Sequence, residues 1–171
     1  MKISHRVQTI ILYTIFGLYI LFLLSEIVFK YVAPWELGSV SPVGRSLNLI
    51  PFNEILHSTN SLNIYGNILA FLPMGIFLQT LLKNKAIYKS LLIILAVSCI
   101  FELFQYIFGI GASDIDDVIL NCFGGLLGIL SYKLLFLLVK KEETIRKVVM
   151  WVGIIAAILI GTLLIMLGIA N

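Results

Sequence analysis

Long runs of apolar residues, separated by short polar or glycine- and proline-containing segments, set the pattern of this chain. A helix that crosses a lipid bilayer needs about 20 mostly apolar residues. Five runs are long enough, and they predict helices over residues 7–29, 62–82, 90–108, 114–139 and 148–169. The pattern therefore predicts an all-α integral membrane protein, a bundle of about five transmembrane helices in one domain that covers residues 1–171.

The composition supports a membrane location and narrows the partners. The 171 residues are 60% hydrophobic and 12% charged, with a mean hydropathy of +1.07, far above the range of soluble domains. The basic residues lie between the apolar runs and form no single clustered surface, so we expect membrane lipids and no nucleic acid as partners. Cys99 and Cys122 both lie inside apolar runs, which disfavours a disulfide framework or a thiolate metal site.

The segment 30–61 is predicted to be an outer loop. Its prolines and glycines argue against a continuous helix, although the end of the segment, Leu49–Phe52, is apolar enough to lie in the membrane interface. Within the second predicted helix, Pro73 removes one backbone hydrogen bond and is expected to bend the helix.

The distribution of charge predicts an orientation, because Lys and Arg accumulate in cytoplasmic loops. With the N-terminus in the cytoplasm and the C-terminus outside, ten of the twelve basic residues lie inside, and only Lys30 and Arg45 lie outside. Asp114, Asp116 and Asp117 then all lie in or beside one outer turn.

Polar residues inside the third and fourth predicted helices are the main candidates for function, because ionisable groups are costly in a membrane. Glu102 shares one helix face with Ser98 and Gln105. On the fourth helix, a second face carries Asp114, Asp117, Asn121, Gly124 and Gly128 at spacings of three and four. The two glycines form a small-xxx-small pattern that lets another helix approach closely, so this face is expected to contact protein.

The second predicted helix adds Asn63 and Asn67 on one face, at a similar depth from the same side of the membrane. Three helices therefore direct polar groups toward one region near the outer surface.

Two interpretations of this cluster remain open. In the functional one, Glu102, Asp117 and Asp116 are catalytic acids or bases, or Glu102, Asp114 and Asp117 hold a divalent cation through oxygen ligands. Substrate would then contact Arg45, Asn48, Asn67, Gln105 and Asn121. In the structural interpretation, the same groups form hydrogen bonds between helices, and Asp114 caps the fourth helix.

Four segments of this chain together resemble the VanZ-like family in order and spacing. They are Arg45–Phe52, Asn67–Gly75, Glu102–Gln105 and Asp114–Gly125. The positions that match the family are Arg45, Asn48, Pro51, Asn67, Pro73, Glu102, Gln105, Asp114, Asp116, Asp117 and Asn121. Many relatives carry an arginine in the turn before the aspartates, where this chain has Ala112 and Ser113, so Arg45 is the main candidate for binding an anion.

The resemblance implies a multi-pass protein of the bacterial cell membrane that is linked to resistance against glycopeptide antibiotics of the teicoplanin type. One hypothesis is a membrane enzyme that acts on a lipid-linked or cell-wall precursor through the Glu/Asp/Asn cluster. The other, which we favour, is a non-catalytic envelope protein that binds a glycopeptide, a lipid or another membrane protein. In that protein the cluster only locks three helices together.

Overall fold

The computed structural model describes residues 4–28, 46–57, 61–82, 86–109 and 111–170. In chain order, its elements are α1 (His5–Leu23), a π-helical turn (Leu24–Val28), β1 (Ser46–Asn48), α2 (Asn53–His57), α3 (Ser61–Leu81), α4 (Ile87–Phe108), β2 (Ala112–Asp114), α5 (Ile115–Val139) and α6 (Glu142–Ala170). Five of these helices, namely α1 with its π-helical turn, α3, α4, α5 and α6, are long and apolar enough to cross a membrane. The five predicted helical spans are therefore confirmed.

Two parts of the predicted boundaries are wrong. The last helix begins at Glu142 and not at residue 148, because the charged segment before the apolar run already forms its first turns. The segment predicted as an outer loop contains β1 and α2. A three-residue strand and a five-residue helix are too short to show a hydrophobic period, which is why the pattern of the sequence did not reveal them.

The strand β1 pairs in parallel with β2, so the protein is not purely helical. The register places Ser46 opposite Ala112 and Asn48 opposite Asp114. This pairing joins a segment that precedes α3 to the connection between α4 and α5. It also satisfies backbone N–H and C=O groups of the two strands, which lie beside the ends of spanning helices, where unpaired groups are costly.

The turn between α4 and α5 follows the local rules expected of its residues. Helix α4 ends at Gly109, which adopts the left-handed conformation (φ 62°) that glycine tolerates without strain. Helix α5 begins after Asp114, whose side chain accepts a hydrogen bond from the N–H of Asp116. The capping role of Asp114, which the structural interpretation predicted, is confirmed.

Helices α3 and α5 form the closest helix pair, and glycines make this approach possible. A Cβ atom added at Gly124 would collide with the carbonyl oxygen of Ile68, and one at Gly128 would collide with that of Leu72. From the other side, a Cβ at Gly75 would collide with the carbonyl oxygen of Gly125. The predicted close approach on the Gly124–Gly128 face is confirmed, and its partner is α3, which runs through Pro73 without a break.

The apolar core lies on both sides of this helix pair. Phe71 and Met74 of α3 pack with Ile94 of α4 and Ile129 of α5 in one cluster. A second cluster joins α1, α3, α5 and the first turns of α6 through Leu12, Phe77, Tyr132, Ile145 and Met150. Beyond these turns α6 is mostly exposed, with apolar side chains that suit lipid.

The bundle has two chemically different ends. At one, Arg146 of α6 donates hydrogen bonds of 2.9 Å to the carbonyl oxygen of Thr80 and to the hydroxyl oxygen of Thr9. These contacts place the start of α1, the end of α3 and the start of α6 together at what we call the basic end. The opposite end, where α4 ends and α5 begins, carries Asp114, Asp116 and Asp117, and we call it the acidic end.

Replacing Gly128 with alanine tests whether the α3–α5 contact limits stability. The added methyl group must displace the backbone of α3, so we expect the free energy of unfolding to fall by at least about 1–3 kcal/mol. The melting temperature of the purified protein in detergent measures this loss. Gly161→Ala is the matched control, because nothing lies within 4 Å of a Cβ there. Equal melting temperatures for the two variants would contradict the proposed packing.

Candidate functional site

The predicted site residues that the structure describes gather at the acidic end, where β1, β2, α2 and the ends of α3, α4 and α5 meet. The close α3–α5 contact brings Asn67 next to the start of α5. The strand pair brings Asn48 to the same place. The site is thus built by tertiary packing of segments that are far apart in the sequence.

Glu102 lies on the buried face of α4, only 8% exposed. One carboxylate oxygen, Oε2, accepts a 2.9 Å hydrogen bond from the backbone N–H of Asp114. The backbone carbonyl oxygen of Glu102 accepts a 2.6 Å hydrogen bond from the Ser113 hydroxyl group. Through its side chain and its backbone, Glu102 therefore holds β2 against α4.

Asp114 joins the start of α5 to β1. Its Oδ1 accepts the N–H of Asp116 at 2.9 Å, which caps the helix. Its Oδ2 accepts a 2.9 Å hydrogen bond from the Asn48 side-chain amide, whose own oxygen accepts the N–H of Ile50 at 3.2 Å. The predicted substrate ligand Asn48 is thus engaged in holding the turn after β1.

Asp116 is completely buried, and both of its carboxylate oxygens accept backbone N–H groups. Oδ1 accepts from Phe52, and Oδ2 accepts from Ile55 at 3.2 Å. Phe52 has a φ of 65°, a conformation that residues other than glycine rarely adopt. A buried carboxylate that accepts the amide of Phe52 itself and that of Ile55 is a clear physical reason why the strained turn persists.

Two amide side chains extend the cluster into the bundle. Asn67 of α3 donates a short hydrogen bond to Oδ1 of Asp117, which adds a polar link to the glycine contact between α3 and α5. One turn deeper, the buried Asn121 donates a 2.9 Å hydrogen bond to the hydroxyl oxygen of Ser98 on α4. These two links run from α5 to different helices.

Gln105 is buried on the same face of α4 as Glu102 and Ser98, which confirms the predicted polar stripe. Its side-chain amide donates a 2.7 Å hydrogen bond to the carbonyl oxygen of Ile27, in the π-helical turn after α1. A π-helical turn leaves carbonyl groups out of the regular α-helical pattern, and Gln105 satisfies one of them. This hydrogen bond links α4 to the π-helical turn after α1.

The structure brings together Asn48, Asn67, Glu102, Asp114, Asp116, Asp117 and Asn121, while Arg45 lies outside the described residues. Among the residues that are described, no group of three or more His, Cys, Asp and Glu side chains is arranged to hold a metal ion. Oε2 of Glu102 and both carboxylate oxygens of Asp114 accept hydrogen bonds from N–H groups, which a cation would have to displace. The metal set of Glu102, Asp114 and Asp117 stays a prediction.

Three partners in this site were missed at the level of the sequence: Ser113, the amide of Phe52 and the amide of Ile55. The backbone partners have no sequence signal of their own. Ser113 had none either, because its hydroxyl group bonds a carbonyl oxygen that lies 11 residues earlier in the chain.

Comparison with known proteins decides the family. The family model described as VanZ/LLP1 matches residues 16–138, a range that includes the whole acidic end and stops before α6. The chain belongs to the VanZ/LLP1 family. It is 35% identical over 116 residues to Protein VanZ of Enterococcus faecium, and this alignment covers 68% of the chain and 70% of the relative. No solved structure matches this VanZ/LLP1 family member.

Replacing Asp116 with alanine tests whether its carboxylate holds the turn between β1 and α2. Without the acceptor, the N–H groups of Phe52 and Ile55 lose their partner, so we expect hydrogen–deuterium exchange across residues 50–55 to speed up by about tenfold or more, the equivalent of one strong hydrogen bond. Glu143→Ala, at the exposed start of α6, is the control and should leave this exchange unchanged. Unchanged exchange in Asp116→Ala as well would show that other contacts hold the turn.

Proposed function

We propose that this VanZ/LLP1 family member lies in the bacterial cell membrane and contributes to glycopeptide resistance of the teicoplanin type. It does so by binding envelope components at its outer face. In this proposal the acidic and amide cluster is a structural lock and carries out no chemistry. The observation that carries the proposal is the hydrogen bonding of Asp116, whose two carboxylate oxygens are both occupied by backbone amides of the same protein.

The other acids of the cluster support the same role. Catalysis by a general acid or base requires a side chain that reaches the proton of a bound substrate. Glu102 instead accepts the N–H of Asp114, and Asp117 accepts the amide of Asn67. Each of these contacts joins two different elements of the fold, which is what a lock requires.

We further propose that the basic end faces the cytoplasm, with the N-terminus inside and the C-terminus outside. The contacts of Arg146 with Thr9 and Thr80 support a shared location for the basic residues near three helix ends. The described basic residues at or near that end are His5, Arg6, Lys89, Lys133, Lys140, Lys141, Arg146 and Lys147. A concentration of Lys and Arg on one side is typical of cytoplasmic loops.

Fusions to a reporter enzyme test this orientation. Alkaline phosphatase is active only after export, so a fusion after residue 171 should be active and a fusion after Lys141 should be inactive. Both fusions are expressed in the same cells and normalised to their abundance. The reverse pattern of activity would overturn the orientation and place the acidic cluster at the inner face.

Paired substitutions separate the lock from an enzyme. Glu102→Gln and Asp117→Asn each keep an oxygen that can accept the observed hydrogen bond, whereas Glu102→Ala and Asp117→Ala do not. We expect the amide variants to protect cells against teicoplanin within one doubling dilution of the parent. The alanine variants, together with Asn121→Ala, should lose membrane abundance and protection in step.

The same experiment can overturn either part of the proposal. An amide variant that accumulates normally but no longer protects would show that the carboxylate takes part in chemistry, as expected of an enzyme on a lipid-linked or cell-wall precursor. A parent protein that is abundant but gives no protection would overturn the resistance role.

A further inference from the structure

An apolar turn projects from the acidic end of the bundle. We define it as residues 47–56, which follow the first residue of β1 and include most of α2. Glu54 is the one charged residue of this segment, and residues 47–53 carry no charge. Five large apolar side chains of the turn are between 52% and 74% exposed, namely Leu47, Leu49, Ile50, Phe52 and Leu56.

The exposure of the apolar turn belongs to a fixed conformation. The pairing of β1 with β2 holds its first residues, and Asn48 bonds both Asp114 and the N–H of Ile50. The carboxylate of Asp116 accepts hydrogen bonds from the backbone N–H groups of Phe52 and Ile55. Because Phe52 keeps a left-handed φ, the contacts of this turn outweigh the strain that this conformation costs.

The depth of the apolar turn follows from its contact with α5. After Asp117, residues 118–139 of α5 form a mostly apolar stretch, with Asn121, Ser131 and Lys133 as the exceptions. At 1.5 Å per residue this stretch is about 33 Å long, close to the roughly 30 Å thickness of the hydrocarbon core. The first turn of α5 therefore lies at the hydrocarbon boundary, and the hydrogen bonds to Asp116 place the apolar turn at that same level.

The lipid-facing surface of the helices continues to this level. Leu62 and Tyr65 at the start of α3 are exposed, and so are Phe104 and Phe108 at the end of α4, whose rings stack at 5.4 Å between centroids. Tyr and other aromatic side chains are typical of membrane interfaces. So many exposed apolar side chains would be unfavourable in water, whereas the lipid around spanning helices would cover them.

We propose that the apolar turn is an interfacial membrane anchor, whose side chains contact the acyl chains of phospholipids in the leaflet at the acidic end. The turn thus adds a lipid contact outside the spanning helices, and it keeps the carboxylate cluster at a fixed depth in the bilayer. The proposal does not depend on which side of the membrane the acidic end faces.

Single tryptophans test this contact in protein reconstituted into phosphatidylcholine nanodiscs, where both faces of the bilayer are accessible. Trp35→Phe and Trp151→Phe remove the native fluorophores, and Ile50→Trp or Leu56→Trp then introduces one probe in the apolar turn. Acyl chains brominated near the headgroup quench tryptophans that touch lipid, and iodide quenches those that face water. Leu103→Trp on the exposed face of α4 is the lipid control, and Lys141→Trp at the basic end is the water control.

We expect Ile50→Trp and Leu56→Trp to be quenched by brominated lipid to at least half the extent of Leu103→Trp, and by iodide much less than Lys141→Trp. Strong iodide quenching would show that the turn stands in water and would overturn the proposal. Quenching by neither agent would also overturn it, because the turn would then be covered by protein, such as a second copy of the chain. The two probe positions are independent, so a folding defect in one variant leaves the other as a test.

Discussion

The start of α5 is the feature on which the acidic end depends, because its three carboxylates accept hydrogen bonds from backbone and side-chain N–H groups of several segments. Near a bilayer, N–H groups that are not bonded within the protein are costly. Asp114 caps α5 and accepts a hydrogen bond from Asn48 of β1. Asp116 accepts backbone N–H groups of the turn before α2, and Asp117 is bonded to α3 through Asn67. Glu102 of α4 completes the arrangement by accepting the N–H of Asp114. Four separate segments are thereby fixed around one helical turn.

These hydrogen bonds explain why acidic residues can be buried at the end of a membrane-spanning bundle, because they offset the free energy that burial of a carboxylate costs. Each carboxylate exchanges hydration for charge-assisted hydrogen bonds, which are stronger than neutral ones. The glycine contact between α3 and α5 then fixes the distance across which Asn67 reaches Asp117. At the opposite end, Arg146 joins three helix ends through its hydrogen bonds to Thr9 and Thr80, so polar contacts stabilise both ends of the bundle.

The features that could be predicted from the sequence are those that follow from a local hydrophobic period or from a local residue preference. Apolar runs gave the five spanning helices, the spacing of Gly124 and Gly128 gave the close helix contact, and Asp114 gave the helix cap. The contacts that tie segments distant in the chain were not predictable in this way. The pairing of β1 with β2 and the hydrogen bond from Gln105 to the carbonyl oxygen of Ile27 depend on tertiary packing, which leaves no pattern in one sequence.

The claim that these carboxylates act as structural ties is tested most directly by a double-mutant cycle on the Asn67–Asp117 pair. The free energy of unfolding in detergent micelles would be measured for the parent, Asn67→Ala, Asp117→Ala and the double variant. If the pair ties α3 to α5, the double variant should be more stable than the sum of the single losses implies, by about 1 kcal/mol or more. Single losses that add to within about 0.3 kcal/mol would contradict the account.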